Sequence, residues 1–229
     1  MKLGIALPHT DDTISKQFFL SWLMMEKPDY MFLIPKFPQN IDAVRNDLVL
    51  QAIEEKCTHL IMMDTDQVYP SDTITKLISH KKPIVGAVVH RRYPPFDALL
   101  YRGKLGKYYH IPDEEIYSGK LVDVDATGTG CILYDMQVFK KIPYPWFKIR
   151  RQKDGKPIGE DIGLCSKLKK AGFNIFVDTS IRIGHMAKMV VDENTYRLYK
   201  GLKKYKWAGS DKNNSIGDKC NGKKSRERL

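Results

Sequence analysis

The run Leu60-Ile61-Met62-Met63 closes on Asp64-Thr65-Asp66. Four apolar residues in a row predict a strand buried on both faces, the habit of a mostly parallel sheet. In open α/β sheets, ligands bind beyond the carboxyl ends of such strands. Two carboxylates one residue apart at that place suit a divalent cation, Mg²⁺ or Mn²⁺, that holds phosphates. A nucleotide diphosphate is the simplest ligand for the arrangement. An isolated Asp-x-Asp also recurs as a solvated strand exit, so the rest of the chain has to decide. On an extended segment the spacing puts Asp64 and Asp66 on one side and Thr65 on the other.

The surrounding pattern is strand and helix in alternation. Strands are expected at 2–7, 30–34, 60–63 and 83–89. Helices are expected at 15–25, with Phe18, Trp22 and Met25 on one face, and at 41–56, with Ile41, Val44, Leu48, Ala52 and Ile53 near the 3.6 period. A third helix should start at Pro70-Ser71, with Ser71 as N-cap and Ile74, Leu77 and Ile78 inward. This order predicts right-handed βαβ units around a mostly parallel sheet flanked by helices. Residues 91–120, rich in Tyr, Gly, Lys and Pro, read as a small hairpin-containing insertion lining a site. Segments 121–126 and 131–134 are strand-like. A helix over 161–170 is stopped by Gly172 at C′, and 173–177 is the last clear strand.

The chain has 229 residues and 42% hydrophobic content, enough for one α/β domain. No stretch approaches the roughly 18–20 apolar residues of a membrane span, and the short apolar N-terminus does not read as a signal peptide. Cys57, Cys131, Cys165 and Cys220 are scattered without a Cys-x-x-Cys pair, which argues against zinc and disulfides and for a cytoplasmic location. The net charge of +11 is concentrated at the C-terminus: residues 200–229 hold ten Lys and Arg against three Asp and Glu. We therefore expect one domain, 1–205, and a basic, disordered tail, 206–229. Such a tail is either a solvated terminus or an arm for anionic surfaces.

Further residues have types suited to chemistry. Glu160 and Asp161 open a predicted helix, where acids favour the dipole and where Asp161 is also suited to take a proton from an acceptor hydroxyl. His185 follows a strand and can supply a neutral imidazole to a metal, favouring Mn²⁺ over Ca²⁺. Thr127-Gly128-Thr129-Gly130 allows close approach of backbone to a ligand or a tight turn. It is neither a Walker loop nor a dinucleotide fingerprint. Trp146, within Pro143-Tyr144-Pro145-Trp146-Phe147, is suited to stacking on an acceptor sugar and equally to core packing.

Taken in order, these residues resemble glycosyltransferases of the GT-A fold, most closely the family-2 type and its small bacterial and phage relatives. The series is Ala6-Leu7-Pro8, Ala43-Val44-Arg45-Asn46-Asp47, Leu60 to Asp66, Gly128-Thr129-Gly130-Cys131-Ile132-Leu133, Pro145-Trp146-Phe147, Gly159-Glu160-Asp161-Ile162, and Val177-Asp178 with Gly184-His185. It covers roughly residues 3–187. The resemblance implies a GT-A sheet and transfer of a sugar from a nucleotide-diphosphate sugar, UDP- or GDP-linked, to a hydroxyl of a glycan, a protein or a modified nucleic acid. It places Pro8 and His9 beside the base, and Arg45 and Asp47 near base or diphosphate. Asp64, Thr65 and Asp66 match the Asp-x-Asp motif, with Asp64, Asp66 and His185 at the metal. Asp161, with Glu160 beside it, matches the catalytic base of inverting members, and Gly128 to Gly130 border the sugar. A Gln-x-x-Arg-Trp signature is absent, which argues against a processive synthase. Inversion and retention both stay open. So do two rivals: a metal-dependent nucleotidyltransferase, and a nucleic-acid-binding protein that uses the basic tail.

Overall fold

The computed structural model of the chain describes residues 1–10, 13–37, 39–152 and 154–202. The expected tail, 206–229, lies outside them. The chain divides into a unit of Met1–Ala187 and a second unit from Lys188 onward.

In the first unit, β1 (Leu3–Ala6), α1 (Lys16–Met24), β2 (Tyr30–Leu33), α2 (Ile41–Glu54) and β3 (His59–Met63) follow the expected alternation. Next come β4 (Gln67–Val68), α3 (Thr73–Ser79) and β5 (Ile84–Val89). The insertion holds β6 (Leu100–Lys104), β7 (Lys107–His110) and α4 (Asp113–Ile116). After it run β8 (Leu121–Val124), β9 (Ala126–Thr127), β10 (Cys131–Asp135) and α5 (Gln137–Lys140). A small hairpin of β11 (Arg150–Arg151) and β12 (Pro157–Ile158), then α6 (Glu160–Lys170) and β13 (Ile175–His185), complete the unit. The second unit contributes α7 (Glu193–Leu202), where Arg197 pairs with Glu193 one turn earlier.

The main sheet runs β2-β1-β3-β10-β5-β13-β4, with β8 also on β13. β1 is parallel to both β2 and β3, and β5 is parallel to β13. β10 is antiparallel to β3 and β5 between which it lies, so β2, β1, β3, β5 and β13 all point one way. The fold is α/β with a mostly parallel sheet, as expected. A separate antiparallel sheet, β7-β6-β9, forms the insertion.

Alternation along β3 explains the two cores. Leu60 and Met62 pack with Val44 and Leu48 of α2 and Leu164 and Leu168 of α6. Ile61 and Met63 pack on the opposite face with Phe18 of α1 and Ile74 and Leu77 of α3. A strand with helices on both sides has no polar face, which is why its sequence is apolar throughout.

Two local expectations are corrected. α3 starts at Thr73, not beside a Ser71 cap: Pro70, Ser71 and Asp72 form a turn, and Thr73 Oγ1 donates to Pro70 O at 2.7 Å. The last strand runs on to His185. A register shift between Asp178 and Arg182 lets it pass its polar stretch, where Asp178 Oδ2 lies 2.7 Å from His80 Nε2. Gly172 does end α6, at φ +85°, a conformation side chains disfavour.

Candidate active site

A cleft of about 750 Å³ opens at the carboxyl ends of the parallel strands. Pro8 and His9 reach it from β1, Asp64 to Asp66 from β3, and Arg91 to Tyr93 from β5. Arg45 of α2, Gly159 and Asp161 at the start of α6, and His185 at the end of β13 close it. Its size suits a small-molecule site.

Asp66 and His185 are 119 residues apart and meet through a two-residue ladder. β4 pairs antiparallel with the end of β13, Gln67 opposite His185, and Met186 N donates to Asp66 O at 2.9 Å. This brings His185 Nε2 to 3.2 Å from Asp66 Oδ2. His185 Nδ1 lies 2.7 Å from the His90 carbonyl, which fixes the ring with Nδ1–H donating and Nε2 toward the carboxylate. The Asp66 hydrogen bond raises the imidazole pKa against the effect of burial. Burial pushes the Asp66 carboxyl up, but His185 and Arg92 outweigh it and hold the carboxyl below its ordinary value. Arg92 Nη1 sits 2.8 Å from the same Oδ2.

Asp64 takes a different partner. Residues 65 and 66 lie in a turn rather than an extended strand, so the expectation that Thr65 turns away is overturned, while Asp64 and Asp66 both line the cleft. Asp64 Oδ1 accepts from Arg45 Nη2 at 3.0 Å, while Thr65 faces the cleft. The turn is fixed from below. Asp64 N donates to Gly130 O at 2.9 Å, and the Tyr69 hydroxyl lies within 3.1 Å of Asp64 O, Gly130 O and Gln67 Oε1. A Cβ on Gly130 would stand 2.1 Å from Gln67 Nε2 and 3.0 Å from Asp64 Oδ2, so any side chain there has to displace Gln67 from under the acidic turn.

Arg45 is 5% exposed and lies between acids: Asp64 on one side and Glu160 Oε1 at 3.5 Å from Nη1 on the other. Burial works against its charge, but Asp64, Glu160 and Asp161 outweigh burial and raise its pKa. Burial also raises the Asp64 carboxyl, against the pull of Arg45. Arg45 Nε and Nη1 have no hydrogen-bond partner. Both atoms are buried and Nη1 already faces Glu160, so the guanidinium gives the cleft a fixed positive charge rather than exposed donors.

Asp161 stands in the first turn of α6. Burial, then Glu160 beside it, pushes its carboxyl up to about 6. A Cβ on Gly128 would lie 3.9 Å from Asp161 Oδ2, so that glycine borders the carboxylate. A carboxyl near 6 in a cleft is matched to accepting a proton at neutral pH.

Two expected residues fall elsewhere. Trp146 is 7% exposed, donates from Nε1 to Phe139 O at 2.9 Å and packs on the rings of Phe139 and Tyr144. It is core, not an acceptor platform, because α5 and α6 need an aromatic filler there. Asp47 accepts from Gln51 Nε2 one turn along α2 at 2.8 Å and does not line the cleft. Helical phase decides this, since two residues from Arg45 point about 200° away. Sequence reasoning missed Arg91, Arg92 and Tyr93. Their position directly after the β-branched β5 was the available signal.

The donor set fits a divalent cation in part. Two cis ligands on one ion at about 2.1 Å stand roughly 3 Å apart, close to the Asp66–His185 spacing. Among the described residues no three of His, Cys, Asp and Glu converge on one point. The third protein donor expected, Asp64, is committed to Arg45. Diphosphate oxygens and water would have to complete the shell.

No family model and no curated protein sequence matches the chain. Solved structures do match in fold. A197 from STIV aligns with a TM-score of 0.55 at 17% identity, over 84% of this chain and 87% of that one. GalNAc-T7, solved with UDP, GalNAc and Mn²⁺, aligns with a TM-score of 0.55 at 11% identity, over 82% of this chain but 43% of that one. S. aureus TarS 1–349 in complex with UDP-GlcNAc gives 0.46 at 12% identity, over 85% and 61%. The chain has the fold of the GT-A glycosyltransferases, as its motif order implied. The mostly parallel sheet with an antiparallel insertion is that architecture in this sequence.

Proposed function

We propose that this chain moves a sugar from a nucleotide-diphosphate sugar to an acceptor hydroxyl, with Mn²⁺ or Mg²⁺ bound at Asp66 and His185. One observation carries the reading: a metal-compatible pair, a buried guanidinium, and a carboxyl held near 6 line one cleft at the strand ends. A bound cation would supply charge neutralisation to the diphosphate as it leaves.

The chain's own groups do the rest. Arg45 sets its positive charge behind the diphosphate, and its ion pairs with Asp64 and Glu160 hold the guanidinium in place. Asp161 accepts the acceptor hydroxyl proton as that oxygen bonds to the anomeric carbon and the bond from anomeric carbon to diphosphate oxygen breaks. Glu160 holds Arg45 and raises Asp161 by its charge, so it acts through its neighbours. Pro8, His9 and Thr65 offer walls for the nucleoside, and Gly128 leaves room beside the base. UDP is the first donor to try, because GalNAc-T7 was solved with UDP and Mn²⁺. Domain limits near 1–205 and the basic tail as an anion-binding arm remain part of this reading.

The test is thermal unfolding with UDP, GDP, CDP, TDP and ADP, each with and without Mn²⁺. Binding to the native state adds RT ln(1 + [L]/Kd). One nucleotide should raise Tm only with Mn²⁺, and Asp66→Ala should abolish that rise. No rise with any nucleotide would overturn the proposal.

A further inference from the structure

Beside the cleft, two hairpins carry cations that no described acid balances. In β6–β7, cross-strand partners share a face and alternate residues repeat it. The pairs Arg102–Tyr109 and Lys104–Lys107 therefore occupy one face, which leaves Tyr108 to pack inward on the core. Of these, Arg102 alone is neutralised, by Glu115 at 2.6 Å. Lys104, Lys107 and Tyr109 are exposed, Tyr109 by 60%. The turn of this hairpin meets the second one: a Cβ on Gly106 would stand 3.6 Å from Gln152 Oε1.

The second hairpin and its approach add Lys148, Arg150 and Arg151, all exposed. Among the described residues, none of Lys104, Lys107, Lys148, Arg150 and Arg151 has a carboxylate in ion-pair range. The acid within this hairpin, Asp154, is taken by Lys156 at 3.1 Å. Crowding is felt by a sixth cation: burial lowers the Lys167 pKa, and Arg150 and Lys148 lower it further. Uncompensated like charge at such density opposes the fold unless a polyanion covers it. The strip adjoins the cleft, since Pro157, the cross-strand partner of Arg151, lines it.

We propose that this strip binds single-stranded nucleic acid and delivers it to the cleft as acceptor. The exposed cations can meet the phosphates of a flexible strand, and Tyr109, exposed on the same face as Lys104 and Lys107, offers a ring for a base to stack on. The acceptor role rests on the glycosyltransferase reading, whereas the binding surface does not.

The experiment is fluorescence anisotropy of a labelled single-stranded oligodeoxynucleotide with the full chain, titrated at several salt concentrations. An abasic strand of equal length and heparin serve as competitors. The variant Lys104→Glu, Lys107→Glu, Arg150→Glu, Arg151→Glu should bind at least tenfold more weakly. Its plot of log affinity against log salt should be shallower by about 0.7 for every phosphate it no longer neutralises. Tyr109→Ala should lose about fivefold or more with an unchanged salt slope, because it removes stacking and not charge. Retention of the Mn²⁺-dependent nucleotide shift in both variants establishes that they are folded. Wild-type affinity and slope in the four-residue variant would overturn the proposal. So would abasic strand or heparin competing as well as the base-bearing strand together with an unaffected Tyr109→Ala. If the wild type binds the strand through these residues yet shows no nucleotide shift, the surface stands and the transferase reading falls.

Discussion

At the scale of single residues, the site is a set of charges held against solvent and against one another. Asp161 is the most informative, because its carboxyl lies near 6 while the ordinary value is 3.8. As a base it must be ionised, so turnover should fall about tenfold per unit below pH 6 and level off above it. Asp161→Asn should lose about 10²–10⁴ in turnover and keep the nucleotide-dependent rise in Tm. Full activity in that variant would remove Asp161 from the mechanism. The same shift has a stability consequence of definite sign. The folded pKa lies above the unfolded one, so the stabilisation is complete below about pH 4 and is lost as pH rises through 6. Asp161→Asn should therefore unfold at higher temperature than wild type at pH 7.5, with the gap closing toward pH 4. Arg92 poses a competition of another kind, since its guanidinium and a cation need the same Asp66 oxygen. The pair is largely exposed, so its strength is about 0.2–1 kcal/mol. Arg92→Ala should tighten Mn²⁺ binding to the nucleotide-free protein by about one- to fivefold, read by electron paramagnetic resonance of free Mn²⁺. Weaker Mn²⁺ binding would make Arg92 a helper of the metal rather than its rival.

At the scale of elements, the chain's legibility follows burial. β1, β3, β5, α2 and α6 are readable because each is buried on a face or on both, and burial forces periodicity. Asp64, Asp66 and His185 at strand ends and Asp161 at a helix start were legible as candidates, and the fold brings all four to one cleft. What escaped depends on tertiary pairing. The strand through Asp178-Thr179-Ser180 is polar and is held by β5, β8 and the Lys120 carbonyl rather than by its own composition. The different partners of Asp64 and Asp66 come from a turn that Gly130, Tyr69 and the β4–β13 ladder hold together. Trp146 read equally as a stacking platform and as core, because aromatic sequence alone does not tell an exposed ring from a buried one. Its burial makes a prediction that separates the two roles. Trp146→Phe should cost about 1–3 kcal/mol, leaving Phe139 O without its donor, while nucleotide affinity stays at the wild-type value. Lost stability with unchanged acceptor kinetics would confirm a packing residue, whereas a selective rise in acceptor KM would return Trp146 to the acceptor side. Gly130→Ala attacks the acidic turn directly, because its Cβ needs the space of Gln67 Nε2.

At the scale of the whole molecule, the question is where an anionic partner would be held. Residues 203–229 hold nine Lys and Arg against three Asp and Glu, six of the eleven net charges. The other five belong to 1–202, where the cations around the cleft stand near acids and Lys104, Lys107, Lys148, Arg150 and Arg151 do not. Truncation after residue 202 separates the two sources of charge. A tail that supplies only general attraction should, when removed, weaken oligonucleotide binding and flatten its salt dependence, since each phosphate released from a cation takes about 0.7 from a single-strand slope. The truncated chain should still respond to the abasic competitor and to Tyr109→Ala, because stacking resides in the hairpin. Its Mn²⁺-dependent nucleotide shift should match the full chain, since every cleft residue precedes the cut. A truncated chain that no longer binds oligonucleotide, yet keeps the nucleotide shift, would move the whole polyanion affinity into the C-terminal segment. The hairpin cations would then need a different explanation for their missing acids.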